Sequence, residues 1–211
     1  MGNCVIFCAG EFDFPAEPLD RKDLIVAADG GLDHLKRLGI KPDVVLGDFD
    51  SLGYVPEGAE VHPVEKDDTD AMLALRRGLE LGYDRFVIYG GMDGPRVDHT
   101  VANFQTLQFA ADQGAVAYLV GLRQTAVVIK NRAINFPENA TGMVSVFCMG
   151  ADARGVSIHG LKYELSDGSL TSGFPLGVSN QFAGKAARIA VDEGSLLVIY
   201  DRVNGLPEAL P

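Results

Sequence analysis

The chain has 211 residues, 47% hydrophobic and 22% charged, which is enough apolar material for a full core in one domain or two small ones. Its formal net charge of -11, with no run of Lys or Arg, argues against nucleic acid as a partner, because phosphate contacts need clustered cations. No apolar run approaches the roughly 18 residues that span a bilayer, so no membrane partner is expected. The opening MGNCVIFCAG lacks the basic segment and long apolar stretch of a signal peptide, and Ile6 stands where a myristoylation site carries Ser or Thr. A cytoplasmic location is expected. Cys4, Cys8 and Cys148 are odd in number and lack metal-ligand spacing, which predicts reduced core cysteines.

Residues 1–125 alternate short β-rich runs with helical patterns, the signature of an α/β domain with a mostly parallel sheet flanked by helices. CVIFCAG (4–10) reads as a first strand and LIVAADGG (24–31) as a second ending in a turn. A helix follows with Leu32, Leu35 and Leu38 on one face and Gly39 as its stop. DVVLG (43–47) and EVHPVEK (60–66) read as further strands, and TDAMLALRRGLELG as a helix aligned on Met72, Leu75 and Leu79. RFVIYGG (85–91) is the clearest buried strand. The next helix carries Val101, Phe104, Gln108 and Ala111 on one face, and AVAYLVG (115–121) completes the series. From 126 to 211 helical periodicity gives way to short β-type segments: VVIKN, RAINF, MVSVFCM, GVSIHG and LKYEL. A hairpin-like pair, AARIAVD and SLLVIY joined by EG, follows. This half reads as an antiparallel sandwich or barrel.

The polar residues gather where the strands of the first half end. Strand two ends in Asp29-Gly30-Gly31, strand three in Gly47-Asp48-Phe49-Asp50-Ser51, and strand four in Lys66-Asp67-Asp68-Thr69-Asp70. Strand five ends in Gly90-Gly91, with Arg96, Asp98 and His99 shortly after. In an open parallel sheet these carboxyl ends share one edge, where ligands bind. So many carboxylates in one crevice repel each other unless they bind metal or share protons. Each piece also has an ordinary reading. Asp29, Asp68, Thr69 and Asp98 stand where helix N-caps are wanted, Asp48 and Asp50 suit a turn, and His34, His62 and His159 suit surface or packing positions. Caps, however, need only one polar residue per helix. Asp48 and Asp50 with Asp70 from a neighbouring strand end form a candidate Mg²⁺ site. Lys66 and Arg96 are the cations suited to phosphate oxygens. There is no Walker A sequence, and GGMDGP is not a dinucleotide fingerprint.

In order along the chain, ADGG (28–31), GDFDS (47–51), DDTD (67–70), RVDH (96–99) with Asn103, and GVSN (177–180) resemble the motifs of the thiamine pyrophosphokinases. The resemblance covers nearly the whole length. It implies an N-terminal α/β domain, a C-terminal β-sandwich, a homodimer, and Mg²⁺-dependent transfer of pyrophosphoryl from ATP to the hydroxyl of thiamine. By motif it assigns Asp48, Asp50 and Asp70 to Mg²⁺ and catalysis. Asp29, Gly30, Gly31, Lys66, Asp67, Arg96 and Asp98 fall to the ATP site, and Ser179 and Asn180 to thiamine. It implies an ATP- and Mg-binding domain over 1–125 and a thiamine-binding domain over 126–211, with active sites shared between subunits.

The chain departs from the family in two places. Pro95 stands where the loop before the arginine is commonly glycine, and there is no Trp to stack on thiamine, which leaves Phe182 or Tyr200 as stacking or core residues. Two rival readings exist. DFDSL resembles the start of haloacid dehalogenase-type phosphatases, although there the first Asp follows the first strand. A non-catalytic thiamine or nucleotide sensor on the same fold is the other, and the intact Asp48, Asp50 and Asp70 argue against it.

Overall fold

The computed structural model describes residues 2–50, 52–63, 65 and 67–210, and the chain divides into two compact units, Met1–Leu122 and Arg123–Pro211. The first unit holds β1 (Cys4–Phe7), β2 (Leu24–Ala28), β3 (Val44–Gly47), β4 (Glu60–Val61), β5 (Arg85–Tyr89) and β6 (Val116–Val120). They form a parallel sheet in the order β6-β5-β1-β2-β3-β4. Its central runs, CVIF and FVIY, are buried along their whole length, as strands covered on both faces must be. The strand expected over 60–66 stops at Val61. Pro63 cannot donate to a ladder, and β4 is the sheet edge, where pairing ends most easily. Strand order runs outward from β1 in both directions, so the switch point lies between β1 and β5.

Helices α1 (Gly31–Leu38), α2 (Asp70–Glu80) and α3 (Val97–Asp112) pack on this sheet. In α1, Leu32 and Leu35 are buried while Leu38 turns partly outward, and Gly39 closes the helix at φ 68°. Helix α2 starts on Thr69, whose hydroxyl accepts from the Met72 N–H at 3.2 Å. It buries Ala71, Ala74, Leu75 and Gly78 rather than the Met72–Leu79 face, because small residues let it lie close to the sheet. A Cβ on Gly78 would fall 2.5 Å from the Phe86 ring and 2.7 Å from the Cys4 sulfur. In α3 the buried face is Asn103, Thr106, Leu107, Ala110 and Ala111; of the expected face Ala111 is buried while Val101 is exposed. Apolar residues occur all round this helix, so periodicity alone does not choose a side. Among the described residues no helix is long and apolar enough to cross a membrane.

The second unit contains β7 (Gln124–Lys130), β8 (Ala133–Phe136), β9 (Met143–His159), β10 (Leu165–Leu170), β11 (Gly177–Gln181), β12 (Ala187–Ala190), β13 (Glu193–Asp201) and β14 (Ala209–Leu210). These strands pair antiparallel, in the order β14-β8-β12-β9-β13-β7, with β10 and β11 also on β9. MVSVFCM and GVSIHG are one long strand, with Gly150 and Gly155 at positive φ where it departs from regular pairing. The LKYEL segment is not a strand until Leu165. The expected hairpin of AARIAVD and SLLVIY does not form. Instead β12 pairs with Ser157–His159 and β13 with the earlier part of β9, because Asp192 N–H bonds to the Arg154 carbonyl between them. Phe136, Val146, Ile189, Val198 and Tyr200 are core residues of this unit.

Candidate active site

The carboxyl ends of β1, β2, β3 and β5 surround a cavity of about 450 Å³ in the first unit. Its lining includes Cys8 and Gly10 after β1, Asp29 after β2, Asp48 after β3, and Asp68, Thr69 and Asp70 at the start of α2. Gly90, Gly91 and Gly94 after β5, then Arg96, His99, Thr100 and Asn103, complete it. This is the crevice that a switch point creates. The strand ends are sewn together by Cys8 N–H to the Tyr89 carbonyl at 2.8 Å and Gly10 N–H to the Gly90 carbonyl at 2.9 Å. Both glycines are required by that approach: a Cβ on Gly10 would sit 2.4 Å from the Gly90 oxygen.

Three carboxylates form the closest acidic group among the described residues. One oxygen each of Asp29, Asp48 and Asp50 lies within 4.8 Å of the others. Backbone geometry assembles them. Asp29 N–H donates to the Leu46 carbonyl at 2.8 Å, tying the end of β2 to β3. Gly47, at φ 147°, allows the close approach, since a Cβ there would stand 3.1 Å from the Asp29 backbone. Phe49 is at φ 59° with its ring only 3% exposed. A left-handed non-glycine residue costs about 1–2 kcal/mol, and burying a Phe side chain returns about 1.5–3 kcal/mol, so the buried ring can hold the turn. The flanking Asp48 and Asp50 are thereby kept at the surface on the same side, with Asp50 N–H donating to Asp48 Oδ1 at 3.3 Å. Asp29 is itself at φ 48°. Three oxygen donors and no nitrogen or sulfur suit a hard divalent cation. Asp70 lines the same cavity but stands outside this group of three.

The other expected residues are placed as follows. Arg96 lines the cavity, and its guanidinium grips Asp98 through two bonds, of 2.6 and 3.3 Å. That hydrogen bond holds the Asp98 carboxyl below the usual carboxylate range. Asp68 lines the cavity and pairs with Arg76 at 3.2 Å. Asp67 is exposed and away from the cavity lining, and Lys66 lies outside the described residues. Gly30 is the residue before α1, and Gly31 is needed for packing, since its Cβ would overlap the Phe7 carbonyl at 1.8 Å. Of the expected caps, only Thr69 acts as one by side chain; Asp29 precedes the cap position and Asp98 lies inside the first turn of α3.

In the second unit, Ser179 is exposed at φ 61°, and its N–H donates to Ser145 Oγ at 3.1 Å. Asn180 is buried with its carboxamide engaged: it donates to the Tyr163 carbonyl at 2.7 Å and accepts from the N–H groups of Tyr163 at 3.0 Å and Gln181 at 2.9 Å. A smaller cavity of about 180 Å³ lies beside it, lined by Tyr163, Leu165, Leu176 and Val178. Tyr200 is wholly buried against Phe136, so it is a core residue; Phe182 joins the same ring cluster at its half-buried edge.

Sequence reasoning missed Cys8, Gly10 and Thr100. The first strand runs into Cys8-Ala9-Gly10 before its first carboxylate, Glu11, and carries no acidic pair like those after β3 and β4, so its composition does not mark it as part of the site. Burial, with Asp70 nearby, pushes the Cys8 thiol up to about 12, which favours its neutral form.

The family model for "Thiamin pyrophosphokinase, catalytic domain" matches residues 16–119, and that for "Thiamin pyrophosphokinase, vitamin B1 binding domain" matches residues 131–196. Thiamine pyrophosphokinase of Bacillus subtilis (strain 168) is 26% identical over 189 residues, covering 85% of this chain and 88% of the relative. Among solved structures, thiamine pyrophosphokinase from Bacillus subtilis aligns with a TM-score of 0.80 at 24% identity, over 94% of this chain and 98% of that one. Thiamin pyrophosphokinase from Candida albicans aligns at 0.76 and 15% identity, over 95% and 88%. Structural likeness at such identities shows the fold; the two family models, which together span most of the chain, show more. The chain belongs to the thiamin pyrophosphokinase family.

Proposed function

We propose that this protein transfers the pyrophosphoryl group of ATP to the hydroxyl of thiamine, giving thiamine diphosphate and AMP. The observation that carries the reading is the Asp29–Asp48–Asp50 group opening beside a cavity lined by Arg96 and four glycines. In the reaction the thiamine oxygen forms a bond to the β-phosphorus. The bond from that phosphorus to the α–β bridging oxygen breaks, its electron pair leaves with AMP, and the hydroxyl proton passes to a carboxylate or water. Mg²⁺ held by Asp29, Asp48 and Asp50, with Asp70 across the cavity, would supply neutralising charge to the phosphates. Arg96 exchanges its Asp98 partner for phosphate oxygens, and Asp98 keeps the guanidinium aimed until then. Gly90 and Gly91 admit the phosphate chain close to the backbone. On sequence grounds Lys66 adds a second cation, and Asp67 and the Asp29-Gly30-Gly31 turn complete the nucleotide side.

Thiamine is assigned to the strand-rich unit, with Ser179 as a contact and Asn180 shaping the rim through Tyr163. The active unit is a homodimer in the cytoplasm, each site taking its α/β part from one subunit and its thiamine wall from the other. Incubation with ATP, thiamine and Mg²⁺, followed by separation of nucleotides, tests the reaction. AMP and thiamine diphosphate are expected in equal amounts; ADP with thiamine monophosphate would refute it.

A further inference from the structure

The loop joining β5 to α3 has an uneven hydrogen-bond pattern. Its acceptors are held one after another by the surrounding scaffold. Gly90 carbonyl accepts from Gly10 N–H at 2.9 Å, and Gly91 carbonyl from Asn103 Nδ2 at 2.7 Å. Met92 carbonyl accepts from Thr100 Oγ1 at 2.8 Å, and the Asp93 carboxylate from Leu122 N–H at 2.6 Å. Its donors are treated in the opposite way. Among the described residues, the N–H groups of Gly91, Met92, Asp93 and Gly94 donate to no protein acceptor. Gly91 and Gly94 line the cavity, and α3, of 16 residues, begins just beyond. Left-over N–H groups that are neither paired nor deeply buried need an acceptor from outside the chain, and an anion is the ligand that only accepts.

Thr100 and Asn103 lie one helical turn apart on α3, so both face the loop from the same side. Asn103 is among the few buried polar side chains, and a Cβ on Gly91 would fall 2.9 Å from its Nδ2. The amide therefore fixes the Gly91 carbonyl and, together with Leu119 Cδ1 at 2.8 Å, crowds any side chain placed there.

We propose that Thr100 and Asn103 are positioning residues that hold the Gly91 and Met92 carbonyls on α3 and so keep the loop's N–H groups available to the phosphate chain of the nucleotide. This rests on the proposed function, because it takes ATP as the anion. The two residues act through the loop backbone and transfer no proton themselves. Preorganisation of this kind strengthens binding without adding a contact, since the loop need not be ordered on arrival of the ligand.

The test uses α,β-methylene ATP with Mg²⁺, in which carbon replaces the oxygen of the bond to be broken. Thr100→Ser keeps a hydroxyl and should bind like the wild type. Thr100→Val keeps the shape without the donor and should bind roughly two- to tenfold more weakly, with Asn103→Leu in the same direction. Affinity is measured by calorimetry at a temperature where circular dichroism shows each variant folded, so loss of stability alone would leave it unchanged. Amide exchange supplies a second readout: Gly91–Gly94 should exchange fast in the free protein and slow when the analogue binds. If folded Thr100→Val and Asn103→Leu bind as tightly as wild type, or the loop gains no protection, the inference is overturned. If the wild-type protein binds no analogue, the proposed function fails first and takes this inference with it.

Discussion

Gly47 and Phe49 flank Asp48, and each solves a different part of its placement. Gly47 removes the Cβ that would hold β2 and β3 apart, and Phe49 buries its ring so that its two aspartate neighbours stay on one side. Gly47→Ala should therefore cost about 1–3 kcal/mol of stability and also spread the carboxylates. Denaturant unfolding checks the first part and Mg²⁺ titration the second; a variant normal in both would contradict this account. Asp29→Asn, Asp48→Asn and Asp50→Asn should each lower turnover at limiting Mg²⁺ by about tenfold or more, since each removes a charged oxygen from a hard-cation site. Asp29 is the informative member, because as a mere turn residue its replacement by Asn would be mild. Asp48 and Asp50 could be read from GDFDS directly, whereas Asp29 could not be joined to them: the sequence does not say that β2 and β3 are neighbours in a register that brings Asp29 beside Leu46 and Gly47. Asn180 was legible as a motif residue but not in its engagement with Tyr163, which depends on a contact 17 positions away.

At the scale of elements, the parallel strands of the first unit were readable because long apolar runs bounded by glycine have few alternatives. The helix faces were less so, since Gly78 and the alanines of α2 are buried for their smallness rather than for hydrophobicity. Gly31→Ala makes the same point at the start of α1. Its Cβ would overlap the Phe7 carbonyl, so α1 must shift, at a cost of about 1–3 kcal/mol. A thermal midpoint equal to wild type would show that α1 moves freely. In the second unit, strand existence was legible and pairing was not, because an antiparallel partner is chosen by long-range closure: β9 takes both strands that local sequence joins as a hairpin. The turn into α3 carries a prediction with a sign. Arg96 lowers the Asp98 carboxyl, so the ion pair is complete above the ordinary carboxylate range and is lost only as pH falls through the depressed value. Carboxyl NMR should find Asp98 titrating below exposed aspartates, and Arg96→Gln should raise it back; a midpoint at or above theirs would contradict the pairing.

For the whole molecule, a net charge of -11 and a carboxylate cluster at one sheet edge make cation binding a matter of stability as well as chemistry. Mg²⁺ at ten times its dissociation constant should add about 1.4 kcal/mol, which is roughly 3–6 °C in thermal midpoint for a chain of this size. Asp48→Asn should abolish that increment. The proposed sharing of sites between subunits is tested by mixing Asp48→Asn with Asn180→Ala protein, each inactive alone, under conditions of subunit exchange. Mixed dimers should recover up to about a quarter of wild-type activity per subunit; confirmed exchange without recovery would place each site within one chain. The central claim concerns which phosphorus is attacked, and ATP labelled at its β-phosphorus tests it most directly. Attack at β predicts that the label leaves the nucleotide and appears in thiamine diphosphate, with unlabelled AMP as the other product. Label retained in ADP would contradict the account.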